Sequence, residues 1–394
     1  MRSIYFLYIF LIYFCFGFLK LEARELSIKQ IEERKQADLE RLKEREKRGN
    51  KKFSKEITLS TKLIFLSMER KTPPVLSNLD PILDDEGFYG VKLAIEDNLT
   101  TGRFVGHDYK AEFHRILLNE NLKSEFQKLL NQGNKFFIVD LNEKELKTLF
   151  EVSNSEDIMI FNVRSKADSL RNENCKKNLL HVPPSYSMLS DALTQYLVKK
   201  KWNKWFLVTG PDENDRKYAD ALKKSAKKFN IKIKKEKVWD FSADLRRTAG
   251  KEVPIFTKGE KYDVLVVADE KGEFGEYLTY RTWDPRPIVG TQGLTPTSWH
   301  RTHEQWGATQ MQNRFRRESG RWMTEVDYHA WTAVRSIGEA ITRTSSNNVK
   351  DVRKYLLGKK FGIGAYKGVK VSFRSWNGQM RQPFLLAAPR SMVS

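Results

Sequence analysis

The sequence predicts an α/β protein made of two halves, each a parallel sheet with crossover helices. Three observations predict it. From about residue 55 onward, short β-branched or aromatic runs alternate with stretches of helical period. The alternation finishes once and starts again near residue 184. Finally, the 394 residues exceed the roughly 250–300 that a single hydrophobic core sustains.

In the first half the expected strands are Lys62–Ser67, Tyr109–Phe113, Lys135–Val139, Ile158–Asn162 and Asn178–Val182. Between them Asp85–Asn98, Leu122–Asn131 and Glu143–Val152 carry helical periodicity. In the second half Trp205–Thr209, Ile231–Trp239, Asp263–Ala268 and Arg286–Gly290 read as strands. Ser185–Lys200, Asp215–Phe229 and Leu245–Thr257 read as its helices. Beyond Thr291 come helices over Thr309–Gly320, Thr324–Thr344 and Val349–Leu357, and strands near Val369–Phe373 and Pro383–Ala388. These late elements are too many to be a tail and are expected to complete the two halves.

The N-terminus is different in kind. Met1-Arg2 is followed by an apolar and aromatic run, Ser3–Leu19, and then Lys20-Leu21-Glu22-Ala23, which reads as a signal peptide over residues 1–23. The run is close to the length of a membrane span, so an uncleaved anchor is the rival reading. Residues 24–55 are dominated by charge, with Leu26, Ile28, Ile31, Leu39 and Leu42 too sparse for a core, and read as a stalk or linker. Past the leader Cys175 is the only cysteine, which excludes an internal disulfide and any cysteine-based zinc or iron–sulfur site.

The formal charge of +20 raises nucleic acid as a partner. The lysines nevertheless fall in separate amphipathic segments, such as Lys199-Lys200-Lys201 and Lys227-Lys228, without one stripe of interleaved aromatics. Solvated helix faces account for them, and no nucleic acid is expected.

No pattern marks an enzyme. His300 and His303 are three apart, but no carboxylate stands at metalloprotease spacing. Gly362-Ile-Gly364-Ala-Tyr-Lys-Gly368 has neither the final spacing nor the flanking strand and helix of a dinucleotide loop, and reads as a turn. Nucleophile elbow and phosphate-loop signatures are missing as well. Neither a catalytic group nor a metal or cofactor is therefore expected.

Binding residues follow from position instead. In doubly wound sheets ligands collect at the carboxyl ends of strands. The polar residues there are Glu69 and Arg70, Asp140 and Asn142, Asn162 and Arg164, Thr209, Asp269 and Glu270, and Thr291 and Gln292. Tryptophans crowd the last third, and Trp299 among them is the candidate for stacking on a ligand. The expected ligand-binding set is Glu69, Asp140, Asn162, Arg164, Thr209, Asp269, Glu270, Thr291, Gln292 and Trp299.

The order of elements resembles the type I periplasmic binding proteins. VLVVADE (264–270), EFGEYLTYRTWDPRPIVGTQGL (273–294), WHRTHEQWGATQMQNRF (299–315) and WNGQMRQPFLLAAPR (376–390) resemble a narrower group. That group is the ABC transporter substrate-binding proteins associated with pyrroloquinoline-quinone-dependent alcohol oxidation. The likeness covers roughly residues 58–394. It implies two doubly wound lobes joined by a three-crossover hinge, with crossovers near Val182–Ser185, Thr295–Trp299 and Thr344–Asn347. Lobe 1 would comprise 56–183 plus 298–345, and lobe 2 would comprise 184–297 plus 346–394.

The resemblance further implies a non-catalytic protein of the periplasm that closes around a small solute and presents it to an ABC permease in the inner membrane. A periplasmic quinoprotein dehydrogenase is a further expected partner, and an accessory role to such an enzyme is the alternative to transport. The first loop, Met68-Glu69-Arg70-Lys71-Thr72-Pro73-Pro74, lacks the Gly/Ser-rich turn of the amino-acid receptors. Their ligand contacts are therefore not carried over.

Overall fold

The structure is a computed structural model and describes residues 55–71, 83–152, 155–240 and 245–389. The expected leader, the stalk up to residue 54, and Thr72, Pro73 and Pro74 lie outside the described residues. From Lys55 onward the chain forms one compact unit.

Lobe 1 is built on β1 (Leu59–Met68), β2 (His107–Ile116), β3 (Phe136–Asp140), β4 (Met159–Asn162) and β5 (Leu179–His181). These strands pair in the order β2-β1-β3-β4-β5, all parallel. The unbroken apolar run of β1 is explained by burial on both faces, which is the rule for parallel sheets. Ile64 and Leu66 pack with Phe126 and Leu129 of α2 (Leu122–Asn131) and with Leu146 and Leu149 of α3 (Glu143–Val152). Leu63 and Phe65 point the other way, toward Val91 and Ala94 of α1 (Phe88–Val105).

Lobe 2 repeats the scheme with β6 (Lys204–Thr209), β7 (Lys232–Val238), β8 (Val264–Ala268) and β9 (Ile288–Gly290), parallel in the order β7-β6-β8-β9. Trp205 and Leu207 pack against α4 (Tyr186–Lys199) and α5 (Glu213–Lys228). Phe206 and Val208 face Val253 and Phe256 of α6 (Leu245–Thr257). A short helix, α7 (Gly275–Leu278), follows β8. Asp212 and Asp215 form the capping box that fixes the start of α5.

The chain then crosses back through β10 (Thr295–Thr297) to α8 (Ala308–Ser319) and α9 (Glu325–Thr344). α9 lies on α1, and two glycines make the close approach possible. A Cβ on Gly90 would stand 2.1 Å from the Asp327 carbonyl oxygen, and one on Gly338 would stand 2.2 Å from the Asn98 side chain. Among the described residues no helix is long and apolar enough to cross a membrane.

The late elements correct the expected lobe boundaries. They are α10 (Val349–Leu356), β11 (Ile363–Gly364), β12 (Lys370–Phe373), β13 (Met380–Arg381) and β14 (Leu385–Ala387). Val349, Val352, Leu356, Val371, Phe373 and Met380 share the core of Leu63 and Phe65, so residues 349–380 belong to lobe 1, not lobe 2. The i, i+3, i+7 face of α10 finds its apolar partners beside α9, where it follows directly in the chain. Only β14 returns to lobe 2, pairing antiparallel with β10 and packing Leu386 against the core around Trp205. The third crossover therefore lies between Arg381 and Leu385, and Thr344–Asn347 is a turn within lobe 1. Part of the segment read as a glycine turn is β11, antiparallel to β12.

Candidate functional site

The strand ends of lobe 1 are occupied by their own charges. Asp140, at the end of β3, accepts from Arg70 (3.3 Å to each carboxylate oxygen) and from Arg164, whose Nη2 is 3.1 Å from Oδ2 and whose Nε makes a closer contact. Arg164 Nη2 also reaches Glu86 at 2.6 Å. Burial pushes the Asp140 carboxyl up, but the two guanidiniums outweigh it and hold it below its ordinary value. Two guanidiniums and two carboxylates thus satisfy one another, and this end of the cleft is a structural network.

The other expected residues of this lobe are also committed internally. Asn162 is fully buried, and its carboxamide holds the loop after β4 by accepting from the Arg164 and Ser165 amides at 3.1 and 2.7 Å and donating to the Ser165 carbonyl. Glu69 accepts from the Leu118 amide at 3.1 Å. Trp299 lies in the lobe 1 core, stacked on Tyr328 with ring centroids 4.5 Å apart, and is not placed to stack on a solute. Thr209, at the end of β6, is buried and does not line the cavity described next.

A cavity of about 230 Å³ opens at the carboxyl ends of β8 and β9. Asp269, Glu270, Thr291 and Gln292 line it, and so four of the ten expected residues come together. Sequence reasoning missed Lys166, Tyr218, Leu189, Thr295 and Pro296. Lys166 follows Arg164 in the β4 loop and is the lobe 1 contribution, so its strand-end position was a usable signal. Tyr218 and Leu189 sit inside helices among core residues, and no sequence pattern separates them from packing.

Each charged group lining the cavity already has a partner. Asp269 accepts from the amides of Glu273, Phe274 and Gly275 at 3.0, 2.9 and 2.7 Å, which shapes the turn into α7. Lys271 pairs with Asp212 at 2.7 Å. Glu270 accepts from the Tyr186 hydroxyl at 3.2 Å and faces Lys166 at 3.8 Å. Lys166 also faces Glu325 at 3.6 Å. Burial disfavours its ammonium, but Glu270 and Glu325 outweigh that and raise its pKa, so it is charged at neutral pH. Behind Glu270, burial raises the Asp215 carboxyl to about 6 even though it accepts the Glu270 and Asp212 amides.

Glu325 ties the cavity to the hinge. Its Oε1 accepts from Thr297 Oγ1 at 2.6 Å and from the amide of Ser298 at 2.7 Å, and the Ser298 hydroxyl oxygen stands 2.8 Å away. Burial works against the carboxylate, yet Lys166 and these donors lower it to about 2. Ser298 Oγ is 2.6 Å from Nε2 of His329, whose Nδ1 faces the Val163 carbonyl at 2.9 Å. Burial lowers His329 to about 4, so the ring is neutral at pH 7, with its proton assigned to Nδ1 by that carbonyl. Ser298 and His329 are fully buried and out of a solute's reach.

Across the cleft mouth the lobes are joined by ion pairs. Lys217 of α5 reaches Glu143 of α3 at 2.5 Å, and Lys144 of α3 reaches Glu213 of α5 at 3.2 Å. Glu143 also accepts from Lys147 at 2.6 Å and Ser169 at 2.5 Å, and burial notwithstanding these donors lower it to about 2.

The histidine pair serves structure. His300 contacts Thr302 Oγ1 and the Pro389 carbonyl at 2.8 and 3.1 Å, and His303 contacts the Tyr366 carbonyl at 2.7 Å. Among the described residues no group of three His, Cys, Asp or Glu side chains is placed to hold a metal ion.

The profile of the family described as "Periplasmic binding protein" matches residues 119–246. No curated protein sequence matches the chain. Among solved structures, one similar protein is a branched-chain amino acid ABC transporter periplasmic ligand-binding protein from Burkholderia xenovorans. The two are 14% identical, with a TM-score of 0.67 over 83% of this chain and 90% of that one. A second is a leucine-, isoleucine-, valine-, threonine- and alanine-binding protein from Brucella ovis in a closed conformation (10% identity, TM-score 0.66, 84% and 89% covered). A third is a solute-binding protein of an ABC transporter from R. palustris in complex with benzoate (12% identity, TM-score 0.63, 84% and 93% covered). At these identities the likeness is one of fold, and the chain has the two-lobed α/β fold of the type I periplasmic binding proteins.

Proposed function

We propose that the protein is the extracytoplasmic solute-binding component of an ABC transporter, which closes its two lobes around a small ligand and presents the closed form to a permease in the inner membrane. The observation that carries this reading is the cavity at the carboxyl ends of β8 and β9, lined from lobe 2 and reached by Lys166 of lobe 1. A ligand there touches both lobes, so its binding favours closure by its differential affinity for the closed state. The resemblance of residues 264–270, 273–294, 299–315 and 376–390 supports a setting beside pyrroloquinoline-quinone-dependent alcohol oxidation, with a periplasmic quinoprotein dehydrogenase as a further partner. The test is thermal unfolding of the protein across alcohols, polyols and small sugars, organic acids, amino acids, the quinone cofactor and lanthanide ions. A saturable rise in Tm with one class is expected, because a ligand that binds only the folded state stabilises it. No rise with any of them refutes solute capture.

A further inference from the structure

The charges around the cavity are matched and engaged. Lys166 and Lys271 stand against Asp269 and Glu270, and each has a partner within 3.8 Å. A net anion or cation entering this space would leave one charge uncompensated in a partly desolvated site, which is costly.

The uncharged groups are the open ones. Tyr218 is 2% exposed and lines the cavity, and its hydroxyl has no hydrogen-bond partner among the described residues. Burial and the neighbouring Glu270 raise its pKa, so the phenol is neutral and able both to donate and to accept. The Thr295 hydroxyl is buried without a partner. The Gln292 carboxamide lines the same space and makes no hydrogen bond among the described residues. Lys166, ion-paired with Glu325 at 3.6 Å and Glu270 at 3.8 Å, brings its ammonium to the same space as an already matched charge. Leu189 and Pro296 supply apolar wall.

Buried polar groups are expected to find partners. A set of two hydroxyls, one carboxamide and one ammonium, around a volume of about 230 Å³, asks for a ligand with several neutral oxygen groups on a short carbon frame. We propose that the solute is an uncharged, multiply hydroxylated molecule, a short polyol or small sugar, held by Tyr218, Gln292, Thr295 and Lys166. This inference rests on the solute-binding reading above and names its ligand class.

The test is calorimetric titration of the whole protein with erythritol, xylitol and ribose, set against leucine, benzoate, succinate and putrescine. Saturable binding of at least one of the polyols or ribose is expected, with benzoate, succinate and putrescine, which carry net charge, weaker by a hundredfold or more, and with zwitterionic leucine weaker because both its charges would meet groups that are already paired. Tyr218→Phe is expected to weaken neutral-ligand binding by about tenfold, the value of one hydrogen bond. Thr295→Val is the second variant: it removes the hydroxyl that is buried without a partner, so it is expected to weaken neutral-ligand binding by a similar factor while raising Tm in the ligand-free protein. A purely structural threonine would not give that opposite pair of effects. Binding of a charged solute and not of the polyols overturns the ligand class and leaves solute capture standing. Binding of none overturns both, and unchanged polyol affinity in both variants overturns the assignment of the site.

Discussion

The interlobe pair between Glu143 and Lys217 predicts that closure depends on salt and on one lysine. Lys217→Met keeps the aliphatic stem and removes only the ammonium that spans 2.5 Å to Glu143. The Glu143 side chain is 10% exposed and that of Lys217 is 32% exposed, so the pair lies between an exposed one and a buried one. Exposed pairs contribute about 0.2–1 kcal/mol, and breaking buried ones costs about 3–5 kcal/mol. Because Glu143 retains Lys147 and Ser169, it is not orphaned, and a loss of roughly 1–2 kcal/mol of closed-state preference is the appropriate figure. That corresponds to a drop of roughly 5- to 30-fold in the closed-to-open ratio. Dyes on cysteines introduced at the exposed positions Lys123 of α2 and Lys224 of α5, with both native cysteines changed to serine, report the ratio by energy transfer. In the wild type, 1 M salt shortens the screening length to about 3 Å and shifts the ratio in the same direction. The variant should respond less to salt. Equal ratios for wild type and variant at low salt, together with no salt response in the wild type, refute the reasoning.

Two further outcomes follow from the buried charges. Lys367 is 2% exposed, donates to the Ser298 carbonyl, and is lowered to about 7 by burial, partly offset by Glu325. Its unfolded form binds a proton up to its ordinary value of about 10.4, so between pH 7 and 10 the unfolded state holds more protons and this group makes stability rise with pH. Lys367→Met should flatten that slope, measured as Tm from pH 7 to 9.5, and a slope unchanged by the substitution contradicts the assignment. Asp140→Ala leaves Arg164 and Arg70 without their shared carboxylate and should cost about 3–5 kcal/mol in urea unfolding, whereas a loss under about 1 kcal/mol would mean the network is solvated.

The parallel sheets were legible because their strands are buried on both faces. KLIFLS, WFLVT and DVLVVA are continuous apolar runs whose alternate residues enter two different cores, as Leu63 and Ile64 do. The small antiparallel pieces were not legible. β10 is Thr-Pro-Thr and β11 is Ile-Gly, too short for any period to show; β10 exists because the distant β14 pairs with it, and β11 because it turns directly back into β12. The lobe to which α10 belongs was hidden for a related reason. Its apolar face, Val349, Val352 and Leu356, states that it packs but not against what, and the partner is decided by α9 lying on α1 through Gly90 and Gly338.

The site shows the same division between position and partnership. Reading polar residues at strand ends named four of the residues that line one cavity, yet Asp140, Arg164 and Asn162 spend their hydrogen bonds on one another and on the backbone. Asp269 lines the cavity but is consumed by three amides of its own turn. A strand-end position is therefore a measure of proximity, and an unused donor or acceptor is a measure of availability. The two criteria coincide at Gln292, and at Tyr218 availability appears without a strand end. Sequence alone cannot count partners, since those partners come from other elements. The cavity-lining residues with open groups are accordingly the ones that were hardest to name in advance, and Tyr218, inside an amphipathic helix among alanines and a leucine, is the clearest case.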